Sequence, residues 1–246
     1  MTFKKNKKNK HQAVRLALMG AGGKMGQAIY SELENNDTFI PFLAITNQKN
    51  TEMEFVNIKK TLTEDLLKKS DVLIDFSSPK GFVQSLKLCM KLGIPFVSGT
   101  TGLTSDEEAM LKVASKQIPV LWAPNMSIGV HLVAELLSVL NKIKDWDFQI
   151  IETHHNKKKD APSGTGKFLQ NKLVASVEKQ VPSPLSIRGG GVFGDHSILA
   201  LSDSEVIEIK HRALNRNVFA KGALIAAHWI LDKGPGLYSM EDVLQS

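Results

Sequence analysis

The chain of 246 residues has little cysteine, few aromatics and no long apolar run, and each shortage excludes something. Its one cysteine, Cys89, rules out a disulfide within the chain and hence a cysteine-rich secreted scaffold. Cys89 sits in the apolar helical pattern S-L-K-L-C-M-K-L, so it reads as a small buried hydrophobe in a reducing compartment, and a cytoplasmic location is expected. No stretch approaches the roughly 18 apolar residues of a membrane span, so none is expected. Aromatic residues are 7%, too few for the stacking platform of a nucleic-acid binder. The net charge of +6 does not restore that reading. Lys4, Lys5, Lys7, Lys8 and Lys10 all lie in the first ten residues, and without them the net is +1. No apolar segment of the secretory kind follows this tail, so residues 1–12 are expected to be a disordered basic tail. There is no internal repeat.

Hydrophobic residues make up 42%, enough for one large or two modest domains. In the first half, short apolar runs at 13–19, 40–45, 71–76, 94–98 and 118–122 alternate with amphipathic stretches at 24–35, 80–92 and 104–116. The third stretch opens on Thr104, Ser105 and Asp106, which suit a helix cap. Such alternation predicts an α/β fold, a Rossmann-like doubly wound parallel sheet. Ligands of such sheets bind beyond the carboxyl ends of the strands. Polar loops fall there: Ser77-Ser78-Pro79, Gly99-Thr100-Thr101-Gly102 and Ala123-Pro124-Asn125-Met126-Ser127. Beyond 127 the pattern changes. A helix over 128–142 leads to the strand W-D-F-Q-I-I-E-T, then a helix opened by Pro162 and Ser163. Strand candidates follow at 184–188, 196–202 and 205–211, the last two around an Asp203-Ser204 turn. This is a second, α+β domain with a mixed, mostly antiparallel sheet. A strongly apolar helix, N-V-F-A-K-G-A-L-I-A-A-H-W-I-L, follows, ended by Gly234-Pro235-Gly236.

Gly20, Gly22, Gly23 and Gly26 follow the first strand and open a helix. Backbone N–H groups at such a turn approach a pyrophosphate, with the helix N-terminus supplying partial positive charge. A tight turn required only by packing uses the same glycines. The second strand ends in Thr46-Asn47-Gln48-Lys49, without the acid that usually binds a ribose 2′-hydroxyl. No carboxylate repels a 2′-phosphate there and Lys49 attracts one, so NADPH is expected to bind at least as well as NADH.

Residues 152–165 read E-T-H-H-N-K-K-K-D-A-P-S-G-T. Histidine suits proton transfer near neutrality. Adjacent residues on a strand point in different directions, so His154 and His155 have different jobs. Three consecutive lysines cannot all face one ligand. The P-S-G-T segment presents backbone N–H groups at a helix start, with the Ser163 and Thr165 hydroxyls beside them, as a carboxylate cradle. The histidines also read as satisfied polar residues at a strand end. Metal is not expected, because adjacent histidines lack the i, i+4 ligand spacing and the one cysteine is remote. Ser163 is in no nucleophile elbow.

These residues resemble those of the 4-hydroxy-tetrahydrodipicolinate (dihydrodipicolinate) reductase family of lysine biosynthesis. The likeness rests on G-A-G-G-K-M-G, D-F-S-S-P, G-T-T-G, A-P-N-M-S-I-G-V, the 152–165 motif, R-G-G-G-V-F-G-D-H and the closing E-I-K-H-R-A-L-N-R-N-V-F-A-K-G-A-L-I-A-A-H-W, in order from residue 14. The resemblance implies a dinucleotide-binding domain of residues 13–126 plus 217–246, and a substrate-binding and tetramerisation domain of 127–216. It implies reduction of a small dicarboxylate by NADPH or NADH in a homotetramer, with no nucleic acid, membrane or metal. By position, His154 is implied as proton donor/acceptor and Lys158 as proton donor. His155, Ser163, Gly164 and Thr165 are implied as substrate contacts. Gly20, Ala21, Gly22, Gly23, Lys24, Met25, Gly99, Thr100, Thr101, Ala123, Pro124, Asn125 and Met126 are implied around the cofactor. Arg188, Gly190, Gly194 and His196 match the family's pattern and read as structural or rim residues. Two departures from it stand out: many members carry an acid, often followed by arginine, at Thr46 and Asn47, and a small residue at Pro124. An aspartate dehydrogenase would share the glycine turn but not D-A-P-S-G-T; a redox-sensing regulator would not need His154 and Lys158 together.

Overall fold

The computed structural model describes residues 13–34, 36–48 and 53–245. The expected tail and Lys49 lie outside the described residues. The first half runs β1 (Val14–Met19), α1 (Lys24–Leu33), β2 (Phe39–Ile45), β3 (Asn57–Lys59), α2 (Glu64–Leu67), β4 (Val72–Asp75), α3 (Pro79–Leu92), β5 (Phe96–Ser98), α4 (Ser105–Ala114) and β6 (Pro119–Trp122). The second runs α5 (Ile128–Leu136), which tightens into a 3₁₀ helix over Leu137–Ile143, then β7 (Asp147–His154), α6 (Gly164–Val177), β8 (Leu185–Arg188), β9 (Gly194–Leu201), β10 (Val206–Ala213), α7 (Asn217–Trp229), β11 (Gly236–Tyr238) and α8 (Met240–Leu244).

Seven strands form a parallel sheet in the order β11-β6-β5-β4-β1-β2-β3. The central strands are buried on both faces, which is why they read as continuous apolar runs. On one face α1 and α7 press Ile29, Leu33, Ala223 and Ala227 against Leu16, Leu18, Ile74 and Val97. On the other, Phe82, Leu86 and Cys89 of α3 and Leu111 of α4 cover Leu43, Leu73 and Phe96. Each such large side chain contributes roughly 1.5–3 kcal/mol by leaving water. Cys89 is wholly buried, and burial pushes its thiol pKa up, so it is a core residue and not a reactive one.

The chain order reverses between β1 and β4, which opens a crevice at their carboxyl ends. The helices begin where their caps allow. Thr104 closes a capping box with Glu107, and Ser78, Ser127 and Ser163 each accept a backbone N–H of the turn they start. Ser163 is thus the cap of α6, and Pro162, joined to Ala161 by a cis peptide, precedes the helix instead of opening it.

The second sheet has the order β10-β9-β7-β8, with β7–β8 parallel and the rest antiparallel. Between β9 and β10, Ser202 N–H donates to the Glu205 carbonyl, leaving Asp203 and Ser204 at the tip. Helices α5 and α6 bury one face of this sheet around Phe148, Ile150, Leu169, Leu173 and Ile198. Two elements differ from expectation. β3 and β11 are three-residue edge strands, and Gly236, expected only to end a helix, begins β11 beside β6. Their ladders come from a neighbouring edge and leave no periodicity in so short a run.

Helix α7 returns to the first sheet and meets the end of the 123–127 loop. A Cβ on Gly222 would stand 1.7 Å from the Met126 carbonyl oxygen, so only glycine allows this approach. Gly222→Ala is expected to lower stability by about 1–3 kcal/mol, overpacking outweighing the gain in helix propensity of about 1 kcal/mol. The midpoint of urea unfolding checks this.

Candidate functional site

The dinucleotide features converge on the crevice. Gly20 has φ 84°, and a Cβ on it would lie 2.2 Å from the Phe76 carbonyl oxygen, so β1 turns into α1 in contact with the end of β4. The N-cap of α1, Gly23, has no side chain to bond the first turn, and that turn has no acid. Its N–H groups are left for an anion. A cavity of about 300 Å³ lies here, lined by Gly20, Gly22, Gly23, Thr46, Gln48, Lys60 and Ser77 among others. These features fit the phosphates and ribose of a dinucleotide. Lys60 was missed in the sequence, because it follows a three-residue strand that periodicity does not show. A larger cavity of about 550 Å³ lies among Glu32, Phe39, Lys221, His228 and Trp229, by the amino end of β2, and is lined by none of the candidate catalytic, cofactor or substrate residues.

Asp75 ends β4 fully buried, and it too was missed. It accepts hydrogen bonds from the hydroxyls of Ser77, Ser98 (2.8 Å) and Thr100 (2.7 Å). Burial pushes its carboxyl pKa up, against those hydrogen bonds. Thr100 Oγ1 also accepts the Ser77 N–H at 3.0 Å, and the Thr100 carbonyl accepts Trp122 Nε1 at 3.0 Å. The loops after β4 and β5 are thus tied together. Gly99 and Thr100 are enclosed in this knot, whereas Thr101 and Pro124 are exposed.

Strand β7 alternates, with Phe148, Ile150, Glu152 and His154 on its buried face. Register sets Glu152 opposite Ser186 of β8 and His196 of β9, with His211 of β10 next in that row, and His154 opposite Arg188. Glu152 has no exposed surface. It accepts from His154 Nδ1, the Ser163 N–H (3.1 Å), Ser186 Oγ (2.6 Å) and Arg188 Nη1 and Nη2 (2.9 and 2.7 Å). Burial alone would raise its pKa, but Arg188, Ser186, His154 and Ser163 together hold it down at about 2. Burial lowers the pKa of His154 despite the opposing pull of Glu152, and takes that of His196 down to about 4, assisted by His154 and His211. Glu152 was overlooked although a signal existed: a carboxylate two residues before a histidine on the apolar face of a strand needs a buried partner.

The remaining motif residues separate by orientation. His155 is partly buried and its N–H donates to the Val192 carbonyl at 2.7 Å. Lys158 is partly buried, its Nζ 2.8 Å from Asp160 Oδ1, while Lys157 and Lys159 are exposed. Ser163, expected to face substrate, is buried: its hydroxyl caps α6 by accepting the Gly166 N–H, and its own N–H goes to Glu152. Of the expected cradle, Gly164 is exposed and Thr165 is partly buried. Thr165 Oγ1 accepts Asn125 Nδ2 at 2.8 Å, so the loop after β6 touches the start of α6. Arg188 and His196 are not rim residues. Arg188 clasps Glu152 and donates to the Asp160 carbonyl at 2.7 Å, and His196 packs edge-on against His154, ring centroids 5.2 Å apart. Among the described residues no group of three or more His, Cys, Asp or Glu is disposed to hold a metal ion, and no helix is long and apolar enough to cross a membrane.

A dinucleotide crevice and a histidine–lysine motif meeting at one loop are the layout of a Rossmann-type oxidoreductase with a nicotinamide cofactor. The chain belongs to the dihydrodipicolinate reductase family: the model of that family's N-terminus matches residues 14–126, and that of its C-terminus residues 129–244. It is 44% identical to the 4-hydroxy-tetrahydrodipicolinate reductase of Bdellovibrio bacteriovorus over 94% of this chain and 96% of that protein. It is 39% identical to the enzyme of the same name from Thermosipho africanus over 94% and 98%. Its fold matches a dipicolinate-bound dihydrodipicolinate reductase from Paenisporosarcina sp. TG-14 with a TM-score of 0.79, at 23% identity, covering 94% of this chain and 99% of that one.

Burial of His196 gives stability a pH dependence. Its folded pKa, about 4, lies below the ordinary 6.5, so the unfolded chain binds a proton there that the folded chain does not. Stability should therefore fall as pH drops from about 6.5 to about 4, with His154 and His211, also lowered, adding slope of the same sign. His196→Gln should flatten that interval in urea-unfolding midpoints taken across it.

Proposed function

We propose that this chain reduces (2S,4S)-4-hydroxy-2,3,4,5-tetrahydrodipicolinate to tetrahydrodipicolinate, with loss of water, in the diaminopimelate route to lysine. The observation that carries this reading is the Asn125–Thr165 hydrogen bond, which joins the loop after β6 to the start of α6; it supports a nicotinamide held by the first segment beside a dicarboxylate held by the second. The nicotinamide supplies a hydride. Residues Gly20 to Met25, Gly99 to Thr101 and Ala123 to Met126 hold and orient the dinucleotide, Pro124 through a carbonyl since it has no N–H. Gly164 and Thr165 N–H groups, aided by His155, hold a carboxylate at the start of α6. Loss of the C4 hydroxyl with a proton from the carbon beside the imine, as water, gives the conjugated imine; addition of hydride at C4 then leaves an enamine carbon that needs a proton. His154 and Lys158 deliver it, a contribution of ~10²–10⁴-fold in rate. Residues 13–126 with 217–246 form the dinucleotide domain, and residues 127–216 bind substrate and build a homotetramer in the cytoplasm. The exposed Leu185, Ile187, Val206 and Ile207 on the outer strands of the second sheet support such association.

The first test follows loss of reduced-nicotinamide absorbance while substrate is made in place from pyruvate and aspartate semialdehyde by a synthase. Oxidation that depends on the synthase is expected; binding of cofactor without oxidation would overturn the reading. His154→Gln and Lys158→Ala should each lower kcat by about 10²-fold or more and leave NADPH affinity near wild type.

NADPH is proposed to bind at least as tightly as NADH, supported by Thr46 and Asn47 in place of an acid and by Lys60 in the crevice. In a direct titration Lys60→Ala should weaken NADPH by roughly tenfold, the effect of one charge-assisted hydrogen bond, and leave NADH little changed.

A further inference from the structure

Glu152 is held by more groups than a buried carboxylate needs for an ion pair alone. Its Oε1 takes the Ser163 N–H, Ser186 Oγ and Arg188 Nη2; its Oε2 takes Arg188 Nη1 and His154 Nδ1. We propose that Glu152 is a positioning residue that locks His154 in the Nδ1–H tautomer, leaving Nε2 to exchange the proton with substrate. This rests on the reading of His154 as the proton donor/acceptor. An ionised carboxylate only accepts, so the shared proton belongs to Nδ1. Held at about 2, Glu152 stays ionised through the neutral range. No described group hydrogen-bonds Nε2. That nitrogen faces Gly194, where a Cβ would stand only 3.1 Å away, so a side chain at 194 would press on it.

The same cluster sets the spacing of the second proton group. Arg188 Nη2 also donates to the Asp160 carbonyl at 2.7 Å, and Asp160 Oδ1 pairs with Lys158 Nζ at 2.8 Å. The charged or titratable groups facing His154 are Glu152 on its own strand, Lys158 from the turn after it, Arg188 from β8 and His196 from β9. From α6 the neighbouring cap, Ser163, is neutral. Among these only Glu152 favours the imidazolium.

Glu152→Gln separates positioning from bulk. Three donors converge on Oε1 and keep the amide oxygen there. The amide nitrogen then takes the Oε2 position and donates to Nδ1, which forces the proton of neutral His154 onto Nε2. The negative charge is lost as well, so His154 holds a proton less tightly. The experiment compares wild type, Glu152→Gln and His154→Gln by kcat, KM, the pH dependence of kcat/KM and nitrogen-15 imidazole spectra, the His154 signals being those absent from His154→Gln. Expected for Glu152→Gln is a fall in kcat of about 10²-fold or more, within the range of acid–base catalysis, with little change in KM for NADPH. The pH limb belonging to His154 should move to lower pH, and the imidazole should change from Nδ1-protonated in wild type to Nε2-protonated.

An Nε2-protonated His154 in wild type would overturn the inference, even if Glu152→Gln did not fold. So would a fall in kcat with the pH limb unmoved, which marks Glu152 as structural only. If His154→Gln loses rate and Glu152→Gln keeps it, positioning fails and the proton role stands. If His154→Gln itself keeps wild-type kcat, the proton role fails and the inference with it.

Discussion

A carboxylate buried without partners costs several kcal/mol, and the second half of this protein is arranged around meeting that cost at Glu152. Donors come from β7, β8 and the turn that starts α6. Each draws its own segment into place: Ser163 fixes the origin of α6, Arg188 reaches across to Asp160, and His154 is pinned at the end of its strand. A motif that is contiguous in sequence thus has its two ends, His154 and Ser163, clamped to one carboxylate, while Lys158 is carried on the turn between them.

The parallel sheet has a counterpart in Asp75. It also is buried, but its partners are hydroxyls without positive charge, so burial raises its pKa where Arg188 lowers that of Glu152. Asp75 ties the loops after β4 and β5, and through Thr100 those loops meet Trp122 at the end of β6. From there one short loop carries the connection onward. Asn125 touches Thr165 on α6, and Met126 lies against Gly222 on α7. The position of that loop is the joint between the crevice of one sheet and the motif of the other.

Much of this was legible in the chain. The central parallel strands showed as apolar runs because both their faces are buried. The turn at Gly20 showed because the approach to Phe76 admits no side chain. Thr104 showed as a cap because its partner lies three residues away. Edge strands β3 and β11 did not show, since three residues carry no period and their bonds come from elsewhere. The capping of α6 by Ser163 and its bond to Glu152 did not show, because an inward cap and an outward ligand look alike in a string.

The sequence by itself determined the periodic elements, the glycine turn after the first strand and the residue types of the histidine–lysine motif, since all of these act through neighbours within a few positions. Tertiary structure decided which motif groups turn inward, that Glu152 rather than solvent receives His154 Nδ1, and that Asn125 meets Thr165 across 40 positions of chain. Those outcomes depend on strand register and on satisfying buried polar groups, and both are properties of the packed sheets, not of any local stretch.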